Sequence, residues 1–95
     1  MKTDDFEWDD VKAEINRRAH KVTFEQACDA LSDPFMVDWI DDGQDEGEDR
    51  FCALGMVENR LFFVAYTIRG RAIRIISARP AEPFERRMYH EENET

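Results

Sequence analysis

Cysteines and long apolar runs are both scarce in this sequence, and each scarcity excludes a class of protein. The two cysteines, Cys28 and Cys52, lack the spacing of a metal site, and we interpret both as small apolar fillers. The longest nearly uncharged stretch, Leu61 to Ile68, is far shorter than the roughly 20 apolar residues that span a bilayer. No apolar segment after Met1 resembles a signal peptide. We therefore expect a soluble, cytoplasmic protein without a membrane partner.

A net positive charge is also lacking. The chain has 13 basic and 22 acidic side chains and a formal net charge of -9, which by itself argues against a polyanionic partner. The charges are unevenly distributed, however, since residues 50–80 carry six arginines and one acidic residue. An RNA backbone responds to the local field, so this segment keeps RNA among the candidate partners. Direct DNA binding is disfavoured because the sequence has no basic recognition helix.

Helical spacing and capping residues predict two N-terminal helices. Asp9 can cap the first, which ends around His20. The predicted buried stripe consists of its apolar positions, Trp8, Val11, Ile15 and Val22. The charged residues near solvent are Lys12, Glu14, Arg17 and Arg18. Thr23 and Gln26 form a capping box for the second helix, which Asp33-Pro34 ends. Its predicted buried stripe consists of Phe24, Ala27, Cys28 and Leu31.

Alternating apolar residues predict four strands, and a short helix is expected after Pro83. The strands are Phe35–Ile40, Arg50–Val57, Leu61–Ile68 and Ala72–Arg79. Three-residue turns join the last three strands, so they must form antiparallel hairpins. We predict an α+β fold with two N-terminal helices packed on a four- to five-stranded, mainly antiparallel sheet, in a single domain that spans residues 1–95.

The last predicted strand carries two arginines whose relative orientation the alternation leaves open. Ile73 and Ile75 share one face, and Arg74 points to the other. Arg79 has the opposite parity, so it joins Arg74 on one face only if the chain bends near Pro80.

A series of motifs in a fixed order covers the chain from about Asp5 to Tyr89. The first runs from Phe6 to Ala27 and contains Lys12, Asn16 and His20. The later ones are Asp33-Pro34, Gly47-Glu48-x-Arg50, Tyr66-Thr67-x-Arg69, Ile73 to Arg79, and Glu85-Arg86-Arg87-x-Tyr89. In these motifs the chain resembles the BrnT family, toxins of bacterial type II toxin-antitoxin systems.

The resemblance implies a fold, an activity and a partner. The fold is similar to that of the RelE ribonuclease toxins, and the activity is RNA cleavage without a metal ion or other cofactor. The partner is a BrnA-type antitoxin that carries a ribbon-helix-helix element, so operator DNA is bound only through the antitoxin. A heterotetramer of two toxins and two antitoxins is the expected assembly.

Cleaving RNA without a metal needs a base, an acid and cations that stabilise the phosphorane. His20 is a candidate base or acid because histidine titrates near neutral pH. Arg74 and Arg79 are candidates for holding the scissile phosphate bidentately, and Tyr66 for stacking on a base or donating its hydroxyl. The predicted RNA-binding residues are Lys12, Arg50, Arg69 and Tyr89.

Each candidate also has a structural interpretation. His20 can cap a helix C-terminus, Arg79 can pair with an acidic neighbour, and Tyr66 can belong to the core. The acidic segment Asp41–Asp49 lacks the spacing of an EF-hand and is interpreted as a solvated loop, which leaves no predicted metal site. Its alternative role is to repel RNA from one side of the protein or to attract a basic segment of the antitoxin.

Two functional hypotheses follow. The first is an endoribonuclease toxin that inhibits translation and growth. The second is a catalytically weakened homologue that acts as an antitoxin-binding corepressor, because this chain has Ala19-His20-Lys21 where the family commonly has Lys-His-Gly, and because its net charge is -9. For either hypothesis, the aromatic residues predict a hydrophobic groove that binds the antitoxin: Trp39, Phe62, Phe63 and Tyr66.

Overall fold

The structure, a computed structural model, describes residues 2–3, 5–41 and 49–94. These residues form three helices and one five-stranded mixed sheet, which confirms the predicted α+β class. The elements in chain order are β1 (Phe6–Glu7), α1 (Asp10–His20), α2 (Phe24–Leu31), β2 (Val37–Asp41), β3 (Arg50–Val57), β4 (Arg60–Arg69), β5 (Ala72–Pro80) and α3 (Pro83–Glu92). None of the described helices is long and apolar enough to cross a membrane.

The sheet has the strand order β1-β5-β4-β3-β2. The two predicted hairpins are present, so β3, β4 and β5 are antiparallel neighbours, and β2 pairs antiparallel with β3. Strand β1 was not predicted, because two residues are too short to show an alternating pattern, and it pairs parallel with β5. The predicted acidic loop lies mostly outside the described residues, while Asp41 is the last residue of β2.

Helix α2 packs on one face of the sheet as its sequence predicts. Its capping box is formed, since the backbone N–H of Gln26 donates to Thr23 Oγ1 over 3.0 Å and that of Thr23 to Gln26 Oε1 over 2.9 Å. The inward residues Phe24 and Ala27 are buried. The helix approaches β3 very closely, because a Cβ atom on Gly55 would lie 2.0 Å from the carbonyl oxygen of Ala30.

Helix α1 begins at the predicted cap but faces the sheet with different residues. Asp9 Oδ1 accepts from the backbone N–H of Val11 over 2.8 Å, which confirms the cap. Trp8 and Val22 on either side of the helix are buried as predicted, but the predicted buried stripe is wrong within the helix, since Val11 is 69% exposed and Ile15 is 61% exposed. Instead, Asn16 is buried and Ala13 is half-buried. The periodicity gave the wrong face because α1 packs against a strand edge, whose free backbone groups require polar partners.

Helix α3 covers part of the opposite face of the sheet. Tyr89 is buried there with Leu54 and Leu61. Its hydroxyl donates to Asp33 Oδ2 over 2.5 Å, and the same oxygen accepts from the backbone N–H of Met56 over 2.8 Å. Burial raises the pKa of the Asp33 carboxyl, but these hydrogen bonds outweigh that effect and leave the pKa below its ordinary value. Asp33 therefore connects α3, β3 and the end of α2.

A register shift brings the two arginines of β5 to one face. Ser77 pairs with Ala65 and Ile75 with Tyr66, so Ile76 is an extra residue on β5. The extra residue reverses the alternation between Arg74 and Arg79, and both point to the face that α3 partly covers. The co-facial arrangement therefore comes from a bulge at Ile76 and does not need a bend near Pro80.

Candidate functional site

A buried asparagine holds α1 against the edge of β5. Asn16 Nδ2 donates to the carbonyl oxygen of Ala78 over 2.9 Å, and its Oδ1 accepts from the Ala78 N–H over 3.1 Å. Nδ2 also donates to the carbonyl oxygen of Val22 over 3.0 Å. Among the described residues, β1 pairs with β5 at Ile73 and Arg74, and further along the strand the amide of Asn16 takes the place of a strand partner at Ala78. Asn16 belongs to the first sequence motif, but no role was predicted for it.

A cavity of about 220 Å³ lies between α1 and β5 and brings together two predicted site residues. We call it the α1–β5 cavity, and it is lined by Lys12, Ile15, Asn16, Ala19, His20, Ile76 and Ser77. Lys12, Asn16 and His20 are four residues apart in sequence and therefore share one face of the helix. That four-residue spacing could have identified this polar face from the sequence. It was overlooked because Val11 and Ile15 have the same spacing and were predicted to form the buried face.

Arg74 lies beside the start of α1. Its Nη1 is 2.7 Å from Glu7 Oε2, and both side chains are partly buried. The carboxyl group of Asp9 has a lowered pKa, chiefly because the backbone N–H groups of Lys12 and Val11 bond to it and to a smaller extent because of the charges of Lys12 and Arg74. Glu7 pairs with Arg74 across β1 and β5, two residues before the Asp9 cap, so Arg74 lies beside the start of α1. Further along both elements, Asn16 of α1 bonds to Ala78 of β5. Helix α1 therefore runs in the same direction as β5.

Arg50 and Arg74 lie in one row on the face of the sheet that α3 partly covers, and both are half-buried. Arg74 pairs with Thr67 on β4, and Phe51 pairs with Tyr66, so Arg50 follows beside Thr67 in the same register. The Thr67 hydroxyl donates to the carbonyl oxygen of Asp49 over 2.7 Å, which agrees with this placement. Two strand spacings separate the Cα atoms of the arginines by about 10 Å. We call Arg50, Thr67 and Arg74 the arginine row.

Arg69 and Arg79 flank this row in different ways. Arg69 is exposed at the end of β4, next to the hairpin turn. Arg79 makes a bidentate pair with the buried carboxylate of Glu85, with distances of 2.8 and 2.9 Å, and stacks 4.2 Å from the ring centre of Phe63. The hydrogen bond to Glu85 raises the pKa of Arg79 further. The ion pair that the sequence offered as the alternative for Arg79 is therefore present.

The two predicted tyrosines lie away from the α1–β5 cavity. Tyr66 is buried on the α2 face, stacks on Phe51 with ring centres 5.4 Å apart, and donates to Asp38 Oδ2 over 3.2 Å. Burial, followed by the charge of Asp38, raises its pKa to about 12. Burial and the hydrogen bond to Asp33 likewise raise the pKa of Tyr89 to about 12. Both tyrosines occupy core positions.

Metal-ligating and nucleophilic groups are not concentrated at this surface. Among residues 2–3, 5–41 and 49–94, no group of three or more His, Cys, Asp or Glu side chains is placed to hold a metal ion. Burial raises the pKa of Cys28 to about 11 and that of Cys52 above its ordinary value. Both thiols stay protonated at neutral pH, which agrees with their interpretation as apolar fillers.

Guanidinium groups of half-buried arginines on one sheet face, with Lys12 and His20 on helix α1 at the edge of β5, form an arrangement suited to a phosphate-bearing ligand. The comparison with known families agrees with that chemistry. The family model of BrnT, the ribonuclease toxin of type II toxin-antitoxin systems, matches residues 8–85. The chain belongs to this family, and its membership implies a protein antitoxin as partner. No curated protein matched the sequence.

Proposed function

We propose that this protein is an active endoribonuclease toxin that cleaves RNA without a metal ion and thereby inhibits translation and growth. The observation that carries the proposal is the arginine row on one face of the sheet, together with the α1–β5 cavity that Lys12 and His20 line. In this proposal the fold is of the RelE type. The acidic surface elsewhere leaves this region as the cationic one that meets the RNA backbone.

The proposed roles follow from the position of each side chain. His20 exchanges the proton of the 2′-hydroxyl or of the leaving 5′-oxygen. Arg74, supported by Arg50 and Lys12, stabilises the negative charge that develops on the phosphorane. The described contact of Arg74 with Glu7 involves one guanidinium nitrogen, so other donors of the fork can reach a phosphate. Arg69 extends the phosphate track from the hairpin end of β4.

Arg79 and the two tyrosines have supporting roles in this proposal. Both terminal nitrogens of Arg79 donate to Glu85, so we assign the arginine to holding α3 on β5. Tyr66 and Tyr89 contribute to the core on opposite faces of the sheet. The antitoxin in this proposal is a BrnA-type ribbon-helix-helix protein that forms a two-to-two complex and contacts operator DNA itself.

The test is cleavage of a labelled single-stranded RNA in EDTA by the purified protein and by Arg74→Ala. Removing one donor of transition-state charge stabilisation typically costs about 100- to 1,000-fold in rate, and we expect a loss of that size. Arg86→Ala is the matched control, since Arg86 is an exposed arginine on α3, and it should cleave normally. Undiminished cleavage and growth arrest with Arg74→Ala would contradict the site assignment.

A second function is favoured by the ion pairs at the site. Arg74 and Arg79 both contact carboxylates, and Ala19 lines the α1–β5 cavity where the family commonly has lysine. Under this alternative the protein is a corepressor that binds the antitoxin without cleaving RNA. It then leaves RNA intact in the same assay and tightens the binding of the antitoxin to operator DNA in a mobility-shift titration.

A further inference from the structure

The two arginines of β5 are held by carboxylates in different ways. Arg79 donates from both terminal nitrogens to Glu85, over 2.8 and 2.9 Å, and the side chain of Glu85 is 3% exposed. Arg74 donates from Nη1 to Glu7 Oε2 over 2.7 Å, and the two side chains are 26% and 17% exposed. In the described part of the chain, the contact with Glu7 therefore uses one nitrogen of Arg74, whereas that with Glu85 uses both terminal nitrogens of Arg79.

Strand β1 fixes the position of Glu7. Phe6 pairs with Ile73 and Glu7 with Arg74, and the backbone N–H of Ile73 donates to the carbonyl oxygen of Asp5 over 2.8 Å. Successive residues of a strand point to opposite faces, so Phe6 packs on the core cluster and Glu7 lies on the other face, beside Arg74. Glu7 thus extends the arginine row at the edge of the sheet.

A carboxylate beside a phosphate-binding arginine can act in two opposite ways. It can compete with the phosphate for the guanidinium, or it can orient the guanidinium, whose planar fork is rigid while its stem is flexible. The geometry favours orientation, because Nη1 bonds to Glu7 and the N–H groups of Nε and Nη2 point in other directions. Orientation matters for catalysis, since a misplacement of about 1 Å can cost about 100-fold in rate.

We propose that Glu7 is the positioning residue for Arg74. Its carboxylate holds Nη1, so that the remaining donors of Arg74 are presented to the phosphate of the RNA. Glu7 acts through Arg74 and makes no contact with the substrate itself. The role rests on the proposed function, because it requires that Arg74 contacts the reacting phosphate.

Attachment of β1 to the sheet does not explain the pair. The backbone pairing with β5 and the packing of Phe6 on the core cluster already attach this strand. Ion pairs that are partly exposed to solvent typically contribute little to stability. We therefore expect variants of Glu7 to fold, which allows their turnover to be measured.

The test measures kcat and KM separately for cleavage of a labelled single-stranded RNA in EDTA. Glu7→Ala should lower kcat about 10- to 100-fold and leave KM within about threefold, because Arg74 remains but is no longer oriented. Glu7→Gln keeps an acceptor oxygen for Nη1, so its kcat should stay within about threefold of the parent value.

The matched control is Glu14→Ala, which changes the net charge by the same amount as Glu7→Ala. Glu14 also pairs with arginines, since it contacts Arg17 over 2.6 Å and Arg18 over 3.0 Å, but on the exposed side of α1. Its kcat should stay within about twofold of the parent value, because its effect is confined to the long-range field. A higher kcat/KM in Glu7→Ala than in this control would show competition and overturn the proposal.

Two further measurements separate orientation from folding. Thermal unfolding shows whether Glu7→Ala is folded, and Glu7→Met, which keeps the length of the side chain without the acceptor, replaces it if it is not, with the same expected loss. Nitrogen-15 relaxation of the Arg74 Nε–H group should show faster motion in Glu7→Ala than in Glu7→Gln, and equal motion would overturn the proposal. A parent that leaves RNA intact would reject the ribonuclease proposal and this role together. Undiminished kcat of Glu7→Ala beside an active parent would overturn the role of Glu7 alone.

Discussion

The two N-terminal helices attach to the sheet by opposite means. Helix α2 buries Phe24, Ala27 and Ala30 almost completely and lies directly over a glycine of β3. Helix α1 is attached through the hydrogen bonds of Asn16 and leaves its large apolar residues exposed. The difference indicates that α2 is required chiefly for stability, whereas the outer side of α1 contributes little to it. Substitutions in the two helices should therefore have very different effects on folding.

The largest effect is expected for Phe24→Ala in α2. Phe24 is fully buried and makes an edge-to-face contact with Trp8, with ring centres 5.9 Å apart. Removing the ring should lower the free energy of unfolding by about 4 kcal/mol, measured by urea denaturation. A loss below about 1 kcal/mol would mean that α2 does not dominate the packing of this face.

Gly55→Ala tests the close approach between α2 and β3. The new Cβ would collide with backbone atoms of Ala30, which cannot rotate away as a side chain can. We expect a loss of about 3 kcal/mol in the free energy of unfolding. Gly70→Ala is the comparison, since that site has open space and only a positive φ of 60°, and it should cost about 1 kcal/mol. Equal losses would contradict the packing argument.

Asn16→Ala removes the attachment of α1. The substitution leaves the N–H and carbonyl groups of Ala78 without their partner, and we expect a loss of about 2 kcal/mol. Arg17→Ala, on the exposed side of the same helix, should stay within about 0.5 kcal/mol. Hydrogen exchange at the Ala78 amide gives a second measure, since the exchange should become faster in Asn16→Ala and stay unchanged in Arg17→Ala.

The smallest effect is expected for Val11→Ala and Ile15→Ala. Both side chains are exposed, and alanine favours a helix more than either residue does. The free energy of unfolding should change by less than about 0.5 kcal/mol, in either direction. A loss comparable to that of Phe24→Ala would show that the outer side of α1 contributes to the core after all, and the contrast between the helices would fail.

Local signals predicted most of the secondary structure. The Asp9 cap, the Thr23–Gln26 capping box, Pro34 and Pro83, the short turns and the alternation of apolar residues identified three helices and four strands with boundaries close to the observed ones. The site was predicted less completely. Lys12 and His20 both line the α1–β5 cavity, and Arg74 contacts Glu7, which comes shortly before α1 in the chain. The contact of Arg74 with Glu7 was not predicted, because it depends on the pairing of β1 with β5. An acidic partner for Arg79 was one of two interpretations, but its identity as Glu85 depends on α3 packing against β5.

The sequence by itself determined where the helices and hairpins form, because capping, turn length and alternation act between residues that are close along the chain. The tertiary structure decided which side of α1 faces inward. The backbone groups of Ala78 at the edge of β5 need hydrogen-bond partners, which Asn16 supplies and the aliphatic side chains of Val11 and Ile15 cannot. The tertiary structure also decided the common face of Arg74 and Arg79, since the bulge at Ile76 depends on pairing with β4. Both outcomes depend on hydrogen bonds between segments distant in sequence, which local patterns do not encode.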